Sequence, residues 1–125
     1  MKKNILIDKE VKKKYLNFLK SQEVLSEPFR DKEGQLNDFY LPIADFIKKN
    51  CKKNLSIIGL SGGQGSGKST ISKILKIILK KKYNLEAAIF SIDDFYKTLG
   101  QRKKMAKIVH PLFSVRGVPG THDTR

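Results

Sequence analysis

The chain has 125 residues, 39% hydrophobic and 30% charged, a composition that fits one soluble globular domain of modest core and excludes a disordered or collagen-like chain. Its 26 basic and 12 acidic side chains leave a net charge of +14, yet the lysines fall in short clusters with no aromatic-studded basic stripe, which argues against nucleic acid as the main partner. A single cysteine, Cys51, excludes an intrachain disulfide, and no apolar run reaches signal-peptide or membrane-spanning length, so the expectation is a cytoplasmic protein that engages neither nucleic acid nor membrane.

Residues 10–26 predict a helix whose apolar face is Val11, Tyr15, Leu16, Phe18 and Leu19, set between lysines. Pro28 and the polar cluster at 31–34 break the pattern. A second helix is expected over 38–49, with Asn37 as its N-cap and Pro42 tolerated in its first turn. These two helices make an N-terminal extension, residues 1–54, expected to pack on a sheet domain that follows. Residues 55–60, Leu-Ser-Ile-Ile-Gly-Leu, are short, apolar and bounded by polar residues, the pattern of a buried strand.

The stretch Gly62-Gly63-Gln64-Gly65-Ser66-Gly67-Lys68-Ser69 comes next. A glycine, four intervening residues, then Gly-Lys-Ser, is the phosphate-binding P-loop pattern. Glycines let the backbone wrap closely around an anion and aim successive N–H groups at it. Lys68 adds a mobile charge for the outer phosphates, Ser69 offers a hydroxyl to magnesium, and Thr70 completes the expected nucleotide-binding set. A helix from Lys68 would point the positive end of its dipole at the same phosphates. Ile71, Ile74, Leu75, Ile78 and Leu79 form one face of that helix, and Lys80-Lys81-Lys82 places cations at its end, with Tyr83-Asn84 as the turn.

Residues 87–92, Ala-Ala-Ile-Phe-Ser-Ile, predict a second buried strand. Strand, helix and strand make a right-handed crossover unit and hence a parallel sheet, whose ligands bind beyond the carboxyl ends of the strands. Asp93 and Asp94 stand at such an end. A carboxylate there is suited to take the proton of an acceptor hydroxyl and to help hold magnesium, although aspartate also serves turns and N-caps. A further helix is expected over 99–109, ended by His110-Pro111. In the loop at 116–123, Arg116 has a planar fork that matches an anionic acceptor.

Residues 61–69, the run Ser91-Ile92-Asp93-Asp94-Phe95-Tyr96, and His110-Pro111-Leu112 followed by Arg116-Gly117-Val118-Pro119-Gly120-Thr121-His122-Asp123 resemble the D-glycerate 3-kinase type of P-loop kinase, a group related to uridine kinase, pantothenate kinase and phosphoribulokinase. The glycine loop is generic, the Asp-x-Phe-Tyr turn is shared across the wider superfamily, and the Arg-Gly-x-Pro-Gly-Thr-His-Asp stretch is the narrow signal. The resemblance covers roughly residues 36–125. It implies transfer of the ATP γ-phosphate to D-glycerate, giving 3-phosphoglycerate, with ATP and Mg2+ as cofactors. Carried across, Lys68 and Asp93 are catalytic, and Ser69 and Asp93 serve the metal. Asp94, Tyr96, Arg116, His122 and Asp123 belong to the acceptor site. The resemblance also implies a further strand between the two legible ones, and residues 55–125 as the first part of a kinase domain. The expected fold is therefore α/β, a P-loop NTPase parallel sheet flanked by helices, truncated after the second strand and preceded by two helices. The alternatives are a kinase of another small acceptor, such as a nucleoside or pantothenate, or a nucleotide-binding fragment without turnover.

Overall fold

Val11, Tyr15 and Leu19 recur every four residues and line one side of the first helix, α1, which runs Lys2–Gln22 in the computed structural model. The structure describes residues 2–24, 26, 28–51 and 55–123, and the expected junction at 50–54 lies partly outside them. The chain divides into two compact units, Met1–Ile89 and Phe90–Arg125.

In the first unit the break after α1 is shorter than its composition predicts. Asp31 adopts a left-handed backbone with φ 42°, and its carboxylate accepts from the Gly34 N–H at 3.1 Å. It thereby caps a short turn, α2, at Lys32–Gly34, so the N-cap is Asp31 and not Asn37. The chain then widens into a π-helical stretch at Gln35–Tyr40 before continuing as α3, Leu41–Asn50. Pro42 supplies the physical reason. A proline lacks an N–H and clashes with the carbonyl four residues back. A wider turn just ahead of it, in which the Leu41 N–H bonds to the Leu36 carbonyl, accommodates both defects.

The P-loop helix, α4, runs Lys68–Tyr83, as its periodicity predicts, and ends on Asn84 in the left-handed region at φ 54°. Ile74, Ile78 and Leu79 of α4 pack with Val11, Tyr15 and Leu19 of α1 and with Leu36, Ala44 and Ile47 to form the core. The three terminal lysines of α4 are each paired: Lys80 with Glu86, Lys81 with Glu10 of α1 at 2.6 Å, and Lys82 with Asp45 of α3 at 3.0 Å. Lys81 holds the Glu10 carboxyl below its ordinary range, chiefly through that hydrogen bond. These contacts are solvent-facing and worth little individually; the apolar seam carries the packing.

The parallel sheet is where expectation and structure part. Among the described residues neither 55–60 nor 87–92 forms a strand ladder. Ile57 is 90% exposed and Phe90 75%, the opposite of a buried strand. A strand's backbone N–H and carbonyl groups and its two side-chain faces are satisfied beside other strands, and among the described residues neither segment has a strand beside it. The apolar face of α4 is buried against α1 and α3.

The second unit begins with a 3₁₀ turn at Ile92–Phe95, continues with α5, Leu99–Ile108, and closes with a second 3₁₀ turn at Pro111–Ser114 and a loop to Asp123. α5 opens on a reciprocal capping box: Thr98 Oγ1 accepts from the Gln101 N–H and Gln101 Oε1 accepts from the Thr98 N–H. His110 Nδ1 accepts from the Leu112 N–H at 3.3 Å and so starts the turn that follows.

Candidate phosphate loop and acceptor cluster

The first unit carries the glycine loop. Gly65 and Gly67 sit at φ 76° and 79°, a region that side chains rarely enter, so glycine is required at both. A Cβ on Gly62 would stand 2.8 Å from Ser66 Oγ, so the loop is also tight at its start. Gly67 is the N-cap of α4. The leading amides of α4 have no acceptor within the helix, and the dipole end adds positive potential there. Lys68 Nζ donates to the carbonyls of Gly62 at 2.7 Å and Gly63 at 2.6 Å, folding its ammonium back over the loop. Carbonyl oxygens are weaker partners for an ammonium than phosphate oxygens are, so an incoming polyphosphate can take them over. Ser69 is exposed and its hydroxyl makes no hydrogen bond among the described residues, which leaves it available to a hard cation. Gln64, Ser66 and Thr70 complete the segment that the sequence marks out.

The second unit gathers the other candidate residues. Ser91 caps the 3₁₀ turn: its Oγ accepts from the Asp93 N–H at 3.2 Å, and Asp94 Oδ2 accepts from the Ser91 N–H at 2.9 Å. Asp94 is thus engaged by the backbone. Asp93 is exposed, and its carboxylate makes no hydrogen bond or ion pair among the described residues. Extended geometry does not continue through this pair, because the cap turns the chain at Ser91.

Tyr96 and His122 face each other in an isolated antiparallel bridge. The Lys97 N–H bonds to the Thr121 carbonyl at 2.8 Å, and the Asp123 N–H to the Phe95 carbonyl at 2.7 Å. Those two bonds flank the pair, which makes it the closely spaced, non-hydrogen-bonded kind. The rings accordingly stack, 3.9 Å between centroids and 27° from parallel. The Arg116 guanidinium carbon lies 5.5 Å from the Tyr96 ring centroid, within cation–π range. Lys97 Nζ reaches Asp123 Oδ1 at 3.6 Å. His122 Nε2 is buried without a hydrogen-bond partner among the described residues.

Tyr96, Arg116, His122 and Asp123 are therefore brought together, with Lys97 beside them. The geometry of the loop explains how. Gly117 and Gly120 take φ 89° and 87°, and Thr121 is fully buried with its Oγ1 on the Val118 carbonyl at 2.6 Å. Sequence reasoning missed Lys97 and Arg102. Arg102 is 7% exposed, buried where a charged side chain is ordinarily solvated. Its helical position was the available signal, since it shares a face with Met105 and Ala106, which are half-buried. No group of three or more His, Cys, Asp or Glu side chains suited to a metal occurs among the described residues. Ser69 and Asp93 remain oxygen donors of the kind magnesium takes.

The family model of the KAP family P-loop domain matches residues 36–116, which include the whole glycine loop, both aspartates and α5. A curated relative, the uncharacterized kinase mug58 of Schizosaccharomyces pombe, is 46% identical over 69 residues, 54% of this chain and 24% of the relative. The chain thus spans about a quarter of the length of the curated relative it matches. No solved structure matches it. No helix among the described residues is long and apolar enough to cross a membrane.

Proposed function

The chain belongs to the KAP family of P-loop domains, and from that premise we propose that it takes part in ATP-dependent phosphoryl transfer to a small hydroxylated acid, D-glycerate, in the cytoplasm. The observation that carries the donor half is the glycine loop with Lys68 folded over it. Lys68 and the leading amides of α4 bind the β- and γ-phosphates, and Ser69 is the residue of that unit that would hold magnesium. The metal supplies charge neutralisation at the phosphates when bound.

The acceptor half rests on the cluster in the second unit. Arg116 pairs with the carboxylate of the acid through its planar fork, and Tyr96 backs that guanidinium. Asp93 takes the proton from the acceptor hydroxyl as its oxygen bonds to the γ-phosphorus and the bond to the β-phosphate bridging oxygen breaks, releasing ADP. The kinase wording of the relative's name and the Arg-Gly-x-Pro-Gly-Thr-His-Asp stretch both support this reading.

Coupled ADP release with D-glycerate, uridine and pantothenate as acceptors tests it. Turnover with D-glycerate well above the other two is the expected result. Preference for uridine or pantothenate assigns a different acceptor. Nucleotide binding without turnover on any of them contradicts the kinase reading for this chain.

A further inference from the structure

Arg102 is a buried cation with no carboxylate beside it. It lies in α5, 7% exposed, and no acidic side chain pairs with it among the described residues. Its Nε donates to the Lys97 carbonyl at 3.2 Å and its Nη1 to the Ser114 carbonyl at 2.7 Å. Burying a guanidinium is costly, and an apolar side chain of similar volume usually packs a site at least as well. Simple filling of space therefore does not account for an arginine here. What the guanidinium does, and an apolar residue cannot, is bridge two backbone carbonyls that lie far apart in sequence.

Those two carbonyls sit beside the acceptor cluster. Lys97 follows Tyr96 directly, and its N–H is one of the two bonds that fix the Tyr96–His122 pair. Ser114 ends the second 3₁₀ turn, two residues before Arg116. One rigid fork, carried on α5, thus ties the Tyr96 segment to the Arg116 segment. The distance it controls is the 5.5 Å between Arg116 and the Tyr96 ring.

We propose that Arg102 is the positioning residue of the acceptor site, setting Arg116 over Tyr96 so that its guanidinium is pre-oriented for the carboxylate of the acceptor. This rests on the acceptor reading given above. Pre-orientation lowers the ordering cost that the acceptor must otherwise meet on binding.

The test compares Arg102→Met and Arg102→Lys with Thr98→Ala, which weakens the α5 cap and leaves the Arg102 bonds in place. Two readouts are needed: steady-state constants with ATP and D-glycerate, and the ring-current shift that Tyr96 imposes on the Arg116 side-chain protons in NMR spectra. Arg102→Met should raise the KM for D-glycerate on the order of tenfold, the size of a lost charge-assisted contact. The KM for ATP should stay within about twofold of its original value, and the Arg116 ring-current shift should be lost. Arg102→Lys, which keeps the charge and can reach one carbonyl, should fall between Arg102→Met and the unsubstituted chain, and it carries the test if Arg102→Met does not fold. Thr98→Ala should keep both the ring-current shift and the KM for D-glycerate. Retention of the Arg116 shift in a folded Arg102→Met chain overturns the proposal, as does an equal rise in both KM values. Should the unsubstituted chain turn over no acceptor, the acceptor reading fails, while the NMR readout still decides whether Arg102 positions Arg116.

Discussion

Asp93 and Asp94 are neighbours in sequence with different surroundings. Asp94 accepts from the Ser91 N–H and closes a capping box, whereas Asp93 makes no bond among the described residues. A carboxylate committed to a cap is held by the backbone and is not free to turn to an acceptor hydroxyl. Asp93→Asn should therefore lower kcat by about 10²–10⁴, roughly 3–5 kcal/mol of barrier, with ATP affinity retained. Asp94→Ala should instead cost about 1 kcal/mol of stability, the usual worth of an N-terminal cap contact. Parallel measurement of kcat and urea midpoint in the two variants checks this, and a larger fall in kcat for Asp94→Ala would reverse the two roles.

At the scale of elements, Glu23 ties together described residues that follow α1. Glu23 accepts from the Phe29 N–H at 2.9 Å and pairs with Lys32 of α2 at 2.8 Å. The Lys32 hydrogen bond holds its carboxyl below the ordinary value of 4.5, with burial opposing and the Phe29 N–H assisting. A carboxyl depressed in the folded state contributes stability that is present above its unfolded value and lost as pH falls through its folded one. Thermal midpoints should accordingly be flat above pH 4.5 on this account and fall below it, less steeply in Glu23→Gln. An unchanged acid slope in Glu23→Gln would remove Glu23 from the explanation. Other elements divide by how local their causes are. α4 was legible because a glycine loop, an apolar period and a lysine-rich end all act within it. α5 was legible from His110-Pro111, and the Thr98–Gln101 box reinforces it. The two strands were not legible as they stand, since apolar content marks a segment for burial without supplying the neighbour that buries it. The start at Asp31 was hidden because a left-handed aspartate leaves no periodic trace, and the Tyr96–His122 stack depends on a pairing across the intervening helix. Arg102 was not legible because charge alone does not reveal burial.

For the whole molecule, the P-loop unit owes its cohesion to a helical core, and it keeps the loop shaped through glycines at positive φ and the Lys68 contacts. Leu55, Ile57, Ile58 and Leu60 stay exposed just ahead of that loop. On the proposed function, Gly62 to Thr70 is a polyphosphate cradle in which Lys68 answers the outer phosphates. Ligand-linked thermal unfolding tests it most directly, because a ligand at about 100 times its dissociation constant stabilises the folded state by about 2.7 kcal/mol. Midpoints should be measured with Mg-ATP and with AMP, in the unsubstituted chain and in Lys68→Ala. A clear rise with Mg-ATP is expected, with a much smaller one with AMP and selective loss of the Mg-ATP effect in Lys68→Ala. No rise with Mg-ATP, or an equal loss for both nucleotides on substitution, would contradict it.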